Sequence, residues 1–333
     1  MTLFVLSILM GWALTAGVRF VCLKWQVFDV PNSRSAHQVP TPTLGGVGLI
    51  VGFWAVVGLH LILGMPLPEF IYGLLGASVV LCLLIRDEVQ AMGRMEKLCV
   101  QIIAAIVLVK GGVVLESVTW DHRVMEFGAL GFFVTVFLML VFQNLYNFMD
   151  GLDGFAALQG VLVAGVLAIL LWVETPPMAS VLLGVCGVTL GFWFWNKPPA
   201  RIFMGDVGAH FLPLCFIMGA VVGERMGVLS IGIAILPLGA FVYDSVYTLI
   251  RRLLRGDNIT LAHRFHLYQR LQIMGWTPWS INGVYAFLTL MLGGCALLLQ
   301  DGFVFWGYGV MGVSLFTMVV GTVYVERQYA RVG

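Results

Sequence analysis

The stretch Asn144-Leu145-Tyr146-Asn147-Phe148-Met149-Asp150-Gly151-Leu152-Asp153-Gly154 decides how the rest of the chain is read. A mostly apolar run that includes Gly131 to Leu140 leads straight into it. Asn144, Asn147 and Asp150 recur every three residues, so on a helix they form one slightly drifting polar stripe. Gly151 and Gly154 then loosen the chain and let backbone approach a ligand. Two carboxylates and two carboxamides at the end of a membrane helix are costly unless they face water, a metal or each other. Capping of a helix end would account for a lone Asn-x-x-Asp. With Asp153 and two glycines added, a ligand site is the stronger reading.

Composition sets the surroundings of that stretch. The chain has 333 residues, 60% of them hydrophobic and 11% charged. Soluble domains carry about 25% charged residues, so the sequence predicts an integral membrane protein with many spans. A net charge of +1 gives no bulk electrostatic case for nucleic acid. The six cysteines are scattered singly through apolar runs, which argues against a zinc site or a disulfide framework. The apolar N-terminus, Met1 to Phe20, lacks a basic flank and a small-residue cleavage site and reads as a retained first span.

Apolar runs of spanning length fall at roughly 2–22, 44–63, 69–86, 99–118, 128–148, 156–173, 179–195, 207–223, 227–250, 281–300 and 303–325. The expected fold is therefore all-α and polytopic, with about ten or eleven transmembrane helices in a single domain, 1–333. Placing the N-terminus outside puts fifteen of the 18 Lys and Arg on the cytoplasmic side, leaving Lys110, Arg123 and Arg225 outside. The polar motifs then gather at one interface rather than along a path through the bilayer. That distribution favours an enzyme over a carrier.

Four further segments carry candidate chemistry. Asp29 to Gly46 is stiffened by prolines, and its Arg34 and His37 either meet an anionic head group or snorkel at the interface. Arg86-Asp87-Glu88, followed by Lys97 and Gln101, is either an oxygen-rich site suited to magnesium or a solvated helix end. Asn196 to His210 contains Arg201 and a Gly-Asp206-x-Gly turn that lets backbone approach phosphate. There His210 is expected beside Asp206 on one helix face, or ion-paired at the interface. Leu261 to Leu271 holds His263, Arg264, His266 and Arg270, a cluster able to hold the phosphates and hydroxyls of a nucleotide sugar, or to lie on anionic lipid. Asp244, inside an apolar run, is either functional or a packing hydrogen-bond acceptor.

Taken in order, these segments resemble the polyprenyl-phosphate N-acetylhexosamine-1-phosphate transferases of glycosyltransferase family 4. The most specific pieces are Asn144-x-x-Asn147-x-x-Asp150-Gly-x-Asp153-Gly154 and Pro199-Ala-x-Ile-Phe-Met-Gly-Asp206-Val-Gly208. The resemblance implies a bacterial inner-membrane enzyme with its site on the cytoplasmic face. It implies transfer of a sugar 1-phosphate from a UDP-N-acetylhexosamine to undecaprenyl phosphate, with release of UMP and a need for magnesium, manganese being the alternative. It implies catalytic roles for Asp87, Glu88 and Asp206, with Asp206 and Asp87 at the metal. Lys97, Asn144, Asn147, Asp150, Asp153 and Arg201 would line the substrate pocket, and His263, Arg264, His266 and Arg270 would choose the sugar. Membrane lipid is a further expected partner, and the oligomeric state stays open, with a homodimer as one alternative.

The chain departs from the family pattern at three places. Glu88 stands where that pattern has a second Asp, and Ala209-His210 follows Gly208 where Ser is usual. The basic loop lacks the contiguous histidines of phospho-N-acetylmuramoyl-pentapeptide transferases and is more similar to initiators of O-antigen and capsule synthesis. The rival readings are that peptidoglycan-type transferase, a transporter of a lipid-linked or anionic solute, and a CDP-alcohol phosphatidyltransferase.

Overall fold

A helix buried along nearly its whole length, Gly205–Arg225, organises the molecule. Every residue from Val207 to Glu224 is buried, as expected where a helix is apolar nearly all round. The computed structural model describes residues 2–31, 38–120, 123–258 and 264–332. In chain order these form α1 (Thr2–Trp25), a short pair β1 (Phe28–Asp29) and β2 (Thr41–Pro42), α2 (Gly45–Ile62), α3 (Ile71–Leu81), α4 (Ile85–Val89) and α5 (Arg94–Lys110). Then come the strands β3 (Ser117–Trp120) and β4 (Arg123–Glu126), followed by α6 (Leu130–Met149), α7 (Phe155–Leu171), α8 (Pro176–Asn196) and the central α9 (Gly205–Arg225). The chain closes with α10 (Ile231–Ala234), α11 (Gly239–Leu254), α12 (Leu267–Ile273), α13 (Pro278–Gln300) and α14 (Val304–Val332).

The fold is all-α and polytopic. Among the described residues eight helical segments are long and apolar enough to cross a membrane, and α7 is a shorter apolar helix. The runs at 69–86 and 99–118 fold as shorter pieces. The first breaks at a 3-10 turn, Cys82–Leu84, between α3 and α4. The second ends at Lys110, because Gly111-Gly112 turns the chain, with Gly112 at φ +104°. Beyond it Ser117 pairs with Glu126 and Trp120 with Arg123 in an antiparallel hairpin, which takes Ser117 and Val118 from the end of that run. The run at 227–250 is also interrupted, by α10 and a 3-10 turn at Leu236–Leu238 that contains Pro237.

Close helix packing rests on glycine. A Cβ on Gly46 would lie 2.2 Å from the backbone N of Gly208, so α2 and α9 touch main chain to main chain. Small residues permit such contact where no hydrophobic effect drives helices together. The 21 residues of α9 span about 30 Å, so its two ends lie far apart. At the far end the Glu224 carboxylate accepts the backbone N–H groups of Thr119 (2.8 Å) and Ile231 (2.6 Å), tying hairpin and α10 together. The near end carries Asp206.

Candidate active site

Three chain segments bring acids to the start of α9. At the end of α6 the polar stripe runs out at Asp150, and Gly154, at φ +72°, reverses the chain into α7. The Asn196 side chain at the end of α8 secures that turn by accepting the Gly154 N–H (3.1 Å) and donating to the Ile202 carbonyl (2.9 Å). Gly205, at φ +71°, then aims Asp206 outward. A Cβ there would fall 2.6 Å from a Glu88 carboxylate oxygen, so the position admits little besides glycine.

The result is one cavity of about 650 Å³. Asp29, Asp87, Glu88, Asp150, Asp153 and Asp206 all line it. The Lys97 ammonium sits between two of these acids, 2.5 Å from Asp87 Oδ2 and 2.8 Å from Asp206 Oδ2. The other Asp87 oxygen accepts the Met92 N–H (2.7 Å), which fixes the carboxylate's direction. Glu88 is held differently. One oxygen accepts the Thr43 hydroxyl (2.9 Å) and the other the Asp206 N–H (3.2 Å). Glu88 therefore caps α9, and the extra methylene that sets it apart from Asp supplies the reach. Burial, then the neighbouring Asp206, push its carboxyl above the usual range. Asp150 is pushed up to about 7 by burial and by the charges of Asp206 and Glu88. Asp153 Oδ2 accepts the Ala200 N–H (2.9 Å).

His210 shares a helix face with Asp206, but its hydrogen bonds go elsewhere. It is fully buried, one turn beyond Asp206, and its Nε2 accepts from the side-chain amides of Asn147 (3.1 Å) and Gln101 (3.3 Å). Gln101 in turn accepts from Asn144 (2.8 Å). The stripe on α6 thus divides. Asn147 and Asp150 reach the cavity, while Asn144 braces α5 against α6. Asp244 serves the basic loop. It accepts the N–H groups of Leu267 (2.8 Å) and Tyr268 (3.2 Å) and the Tyr285 hydroxyl (2.6 Å), and it pairs with His266 Nδ1 (3.3 Å).

Other residues singled out by sequence lie apart from the acids. Arg270 is fully buried and pairs with Glu326 of α14. His266 is buried beside Asp244, and Arg264 is half-buried at the loop's edge. Arg201 is exposed and lines a separate groove. Arg34, His37 and His263 lie outside the described residues. Conversely, Thr43, Asn196 and Gln269 line the cavity without having been nominated. Their uncharged side chains carry no signal in sequence until Glu88, Gly154 and the α12 segment are seen beside them.

Among the described residues no group of three or more His, Cys, Asp or Glu side chains is gathered tightly enough to hold a metal ion. The cavity's donor set is nonetheless carboxylate oxygen, the chemistry that suits magnesium or manganese. Magnesium is commonly held by one or two carboxylates, with substrate phosphates and water completing its shell. Asp206 and Asp87 fit that requirement.

The family model for glycosyl transferase family 4 matches residues 70–224, the span that carries Asp87, Lys97, the Asn144 stretch and Asp206. A probable undecaprenyl-phosphate N-acetylglucosaminyl 1-phosphate transferase of Bacillus subtilis is 30% identical over 280 residues, covering 82% of this chain and 77% of the relative. A decaprenyl-phosphate N-acetylglucosaminephosphotransferase of Mycolicibacterium smegmatis is 26% identical over 356 residues, covering 92% and 84%. A phospho-N-acetylmuramoyl-pentapeptide-transferase of Enterococcus faecalis is 28% identical over 290 residues, covering 81% and 87%.

Proposed function

This chain belongs to glycosyl transferase family 4, and on that premise we propose that it transfers an N-acetylhexosamine 1-phosphate from a UDP-sugar to undecaprenyl phosphate. The reaction takes place at the cytoplasmic face of a bacterial plasma membrane, with the N-terminus outside. The observation that carries this reading is a cavity lined by six acids, two of which, Asp87 and Asp206, share the Lys97 ammonium at its wall. Acids so gathered repel phosphates by themselves, and would suit phosphoryl transfer through a divalent cation that offsets charge on both.

In the reaction a phosphate oxygen of the carrier attacks the β-phosphorus of the UDP-sugar. The bond from that phosphorus to the oxygen bridging it to the α-phosphorus breaks. UMP leaves with that oxygen, and the carrier keeps the sugar 1-phosphate as a diphosphate. Lys97 offers positive charge where two anionic phosphates must approach. Asp87, locked by Met92, orients the attacking phosphate. Glu88 keeps α9 and Asp206 in place. Asn147, Asp150 and Asp153 line the side of the cavity assigned to the nucleotide, and Gln269 brings the basic loop to its rim. Asp206 and Asp87 would hold magnesium, or manganese, which when bound neutralises charge on the phosphates.

The sugar-lipid product fits the start of a surface polysaccharide such as O-antigen. That reading draws support from the loop around His266, while the B. subtilis relative supports only the acceptor lipid and the N-acetylglucosaminyl 1-phosphate class. A peptidoglycan-type donor is the second reading, favoured by the E. faecalis relative. Protein in lipid nanodiscs with undecaprenyl phosphate and magnesium should release UMP from UDP-N-acetylhexosamines, and Asp206→Ala should abolish release while the protein stays folded. UMP release only from UDP-N-acetylmuramoyl-pentapeptide would move the assignment to the second reading. CMP release from a CDP-alcohol would overturn both, and motif residues labelled from outside the membrane would favour a transporter.

A further inference from the structure

A second cavity, of about 580 Å³, lies on the outer side of the segment that walls the acidic one. Ile8, Leu9 and Trp12 of α1 form one bank, and Phe194, Lys197 and Arg201 form much of the other. Its chemistry changes along α1 in three levels. At one end Arg19 Nε donates to the Arg201 carbonyl (3.2 Å). Next, Trp195 Nε1 donates to the Trp12 carbonyl (3.0 Å), with the two rings 5.5 Å apart. Beyond that, Gly191 packs on the Ile8 carbonyl, where a Cβ would meet it at 2.2 Å. The order is cations, then aromatic rings, then aliphatic side chains.

Among the described residues no carboxylate pairs with Arg19, Lys197 or Arg201. Their neighbours are rings instead. Lys197 lies 5.3 Å from the Phe194 centroid, and Arg19 and Arg201 lie 5.7 and 5.9 Å from Trp195. Two cations, Lys197 and Arg201, line this apolar groove, with Arg19 bonded to Arg201 beside its mouth, and together they ask for an anion that carries a hydrocarbon chain. From the level of Arg19, beside the mouth, to Ile8 is about 16 Å along α1 at the helical rise. That is roughly half the ~30 Å hydrocarbon core of a bilayer, the depth of one acyl leaflet. An isoprenoid carrier of many repeating units is far longer than this.

We propose that this groove is a binding site for an anionic phospholipid of the bilayer, phosphatidylglycerol in class, with its phosphate at Arg19, Lys197 and Arg201 and one acyl chain along Leu9 and Ile8. Basic pockets between membrane helices hold lipid head groups by this chemistry. The site is separate from the transfer reaction, and the two are back to back. Residues 196–201 present Lys197 and Arg201 to the groove, while Asn196 and the Ala200 N–H hold Gly154 and Asp153 on the cavity side. A bound lipid therefore braces the wall of the acidic cavity.

The test is native mass spectrometry of the full chain, released from nanodiscs that contain phosphatidylglycerol and phosphatidylcholine in equal amounts. The wild-type protein should retain phosphatidylglycerol selectively. Lys197→Gln and Arg201→Gln should each weaken that retention about fivefold, at about 1 kcal/mol per cation near a membrane surface. Leu9→Trp, which fills the groove without changing charge, should weaken it as well. Lys197→Arg should preserve it, and so should Arg327→Gln, an exposed cation on α14. Equal retention of the two lipids overturns the proposal. So does indifference to both Lys197→Gln and Leu9→Trp, or displacement of phosphatidylglycerol by an equimolar polyprenyl phosphate.

Discussion

Glu88 accepts the backbone N–H of Asp206 at 3.2 Å, so one acid of the cavity holds the helix start that presents another. The contact runs from α4 to α9 across 118 positions of sequence. It gives the length of the Glu88 side chain a structural task. Glu88→Asp should lose the reach to both Thr43 and Asp206 and cost about 1.5–3 kcal/mol, the range for hydrogen bonds to a charged group. Glu88→Gln keeps an acceptor oxygen and should cost less. Thermal unfolding of the two purified variants checks the order, and equal loss in both would remove the capping role.

Lys97→Met should abolish the bridge between Asp87 and Asp206. Two facing carboxylates would then repel across a cavity already crowded with acids. We expect UMP release to fall by about 10²–10³, the scale of losing one electrostatic stabiliser, with the protein still eluting as a folded species. Lys97→Arg should recover part of the rate, because charge is kept and only the point geometry is lost.

The raised Asp150 carboxyl gives a pH signature. Its folded value is about 7 against an ordinary 3.8. Between those values the folded protein binds more protons than the unfolded chain, so stability falls as pH rises through the window and stays low above it. Asp150→Asn removes the charge that burial penalises. It should raise the unfolding midpoint at pH 8 and change it little near pH 4, as melts across pH would show.

Asp244 gathers five donors on and around the basic loop, the Thr248 hydroxyl (3.2 Å) among them, which predicts a selective effect on donor binding. Asp244→Leu leaves the N–H groups of Leu267 and Tyr268 and the Tyr285 hydroxyl without their acceptor, at about 1–3 kcal/mol for each buried group so stranded. The KM for the UDP-sugar should rise by more than kcat falls, and segment 251–266 should become easier to cleave with protease. Asp244→Asn should be milder.

Glu326 on the last helix accepts the Tyr247 hydroxyl (2.7 Å) and pairs with Arg251 (2.8 Å) and the buried Arg270. Glu326→Ala leaves the Arg270 guanidinium buried without its acid and should destabilise by about 3–5 kcal/mol. Adding Arg270→Met should restore much of the loss in the same unfolding assay.

These residues mark the limit of what local sequence encodes. Asp87, Asp150, Asp153 and Asp206 were legible because ionisable groups are rare in an apolar chain, and each stands beside glycine or another acid. Arg270 was legible as a cation, yet not as one held by α14, because Glu326 lies 56 positions away and nothing local joins them. His210 shared a helix face with Asp206, and helical spacing alone suggested a link. The competing amides of Asn147 and Gln101 come from two other helices.

Composition and hydropathic period by themselves determined that the chain is a helical membrane protein, where its apolar runs lie, and which acids and bases are out of place in them. Those are local properties, since the cost of an apolar or charged side chain depends on its own chemistry and on whether it meets lipid or water. Only the tertiary structure decided which of the polar groups meet. It placed Lys97 between Asp87 and Asp206, turned Glu88 into a cap, withdrew Arg270 into the interior and set Arg201 on the opposite wall. Such pairings depend on how α4, α5, α6 and α9 cross, and crossing is fixed by glycine contacts and buried shape that no single stretch of sequence contains.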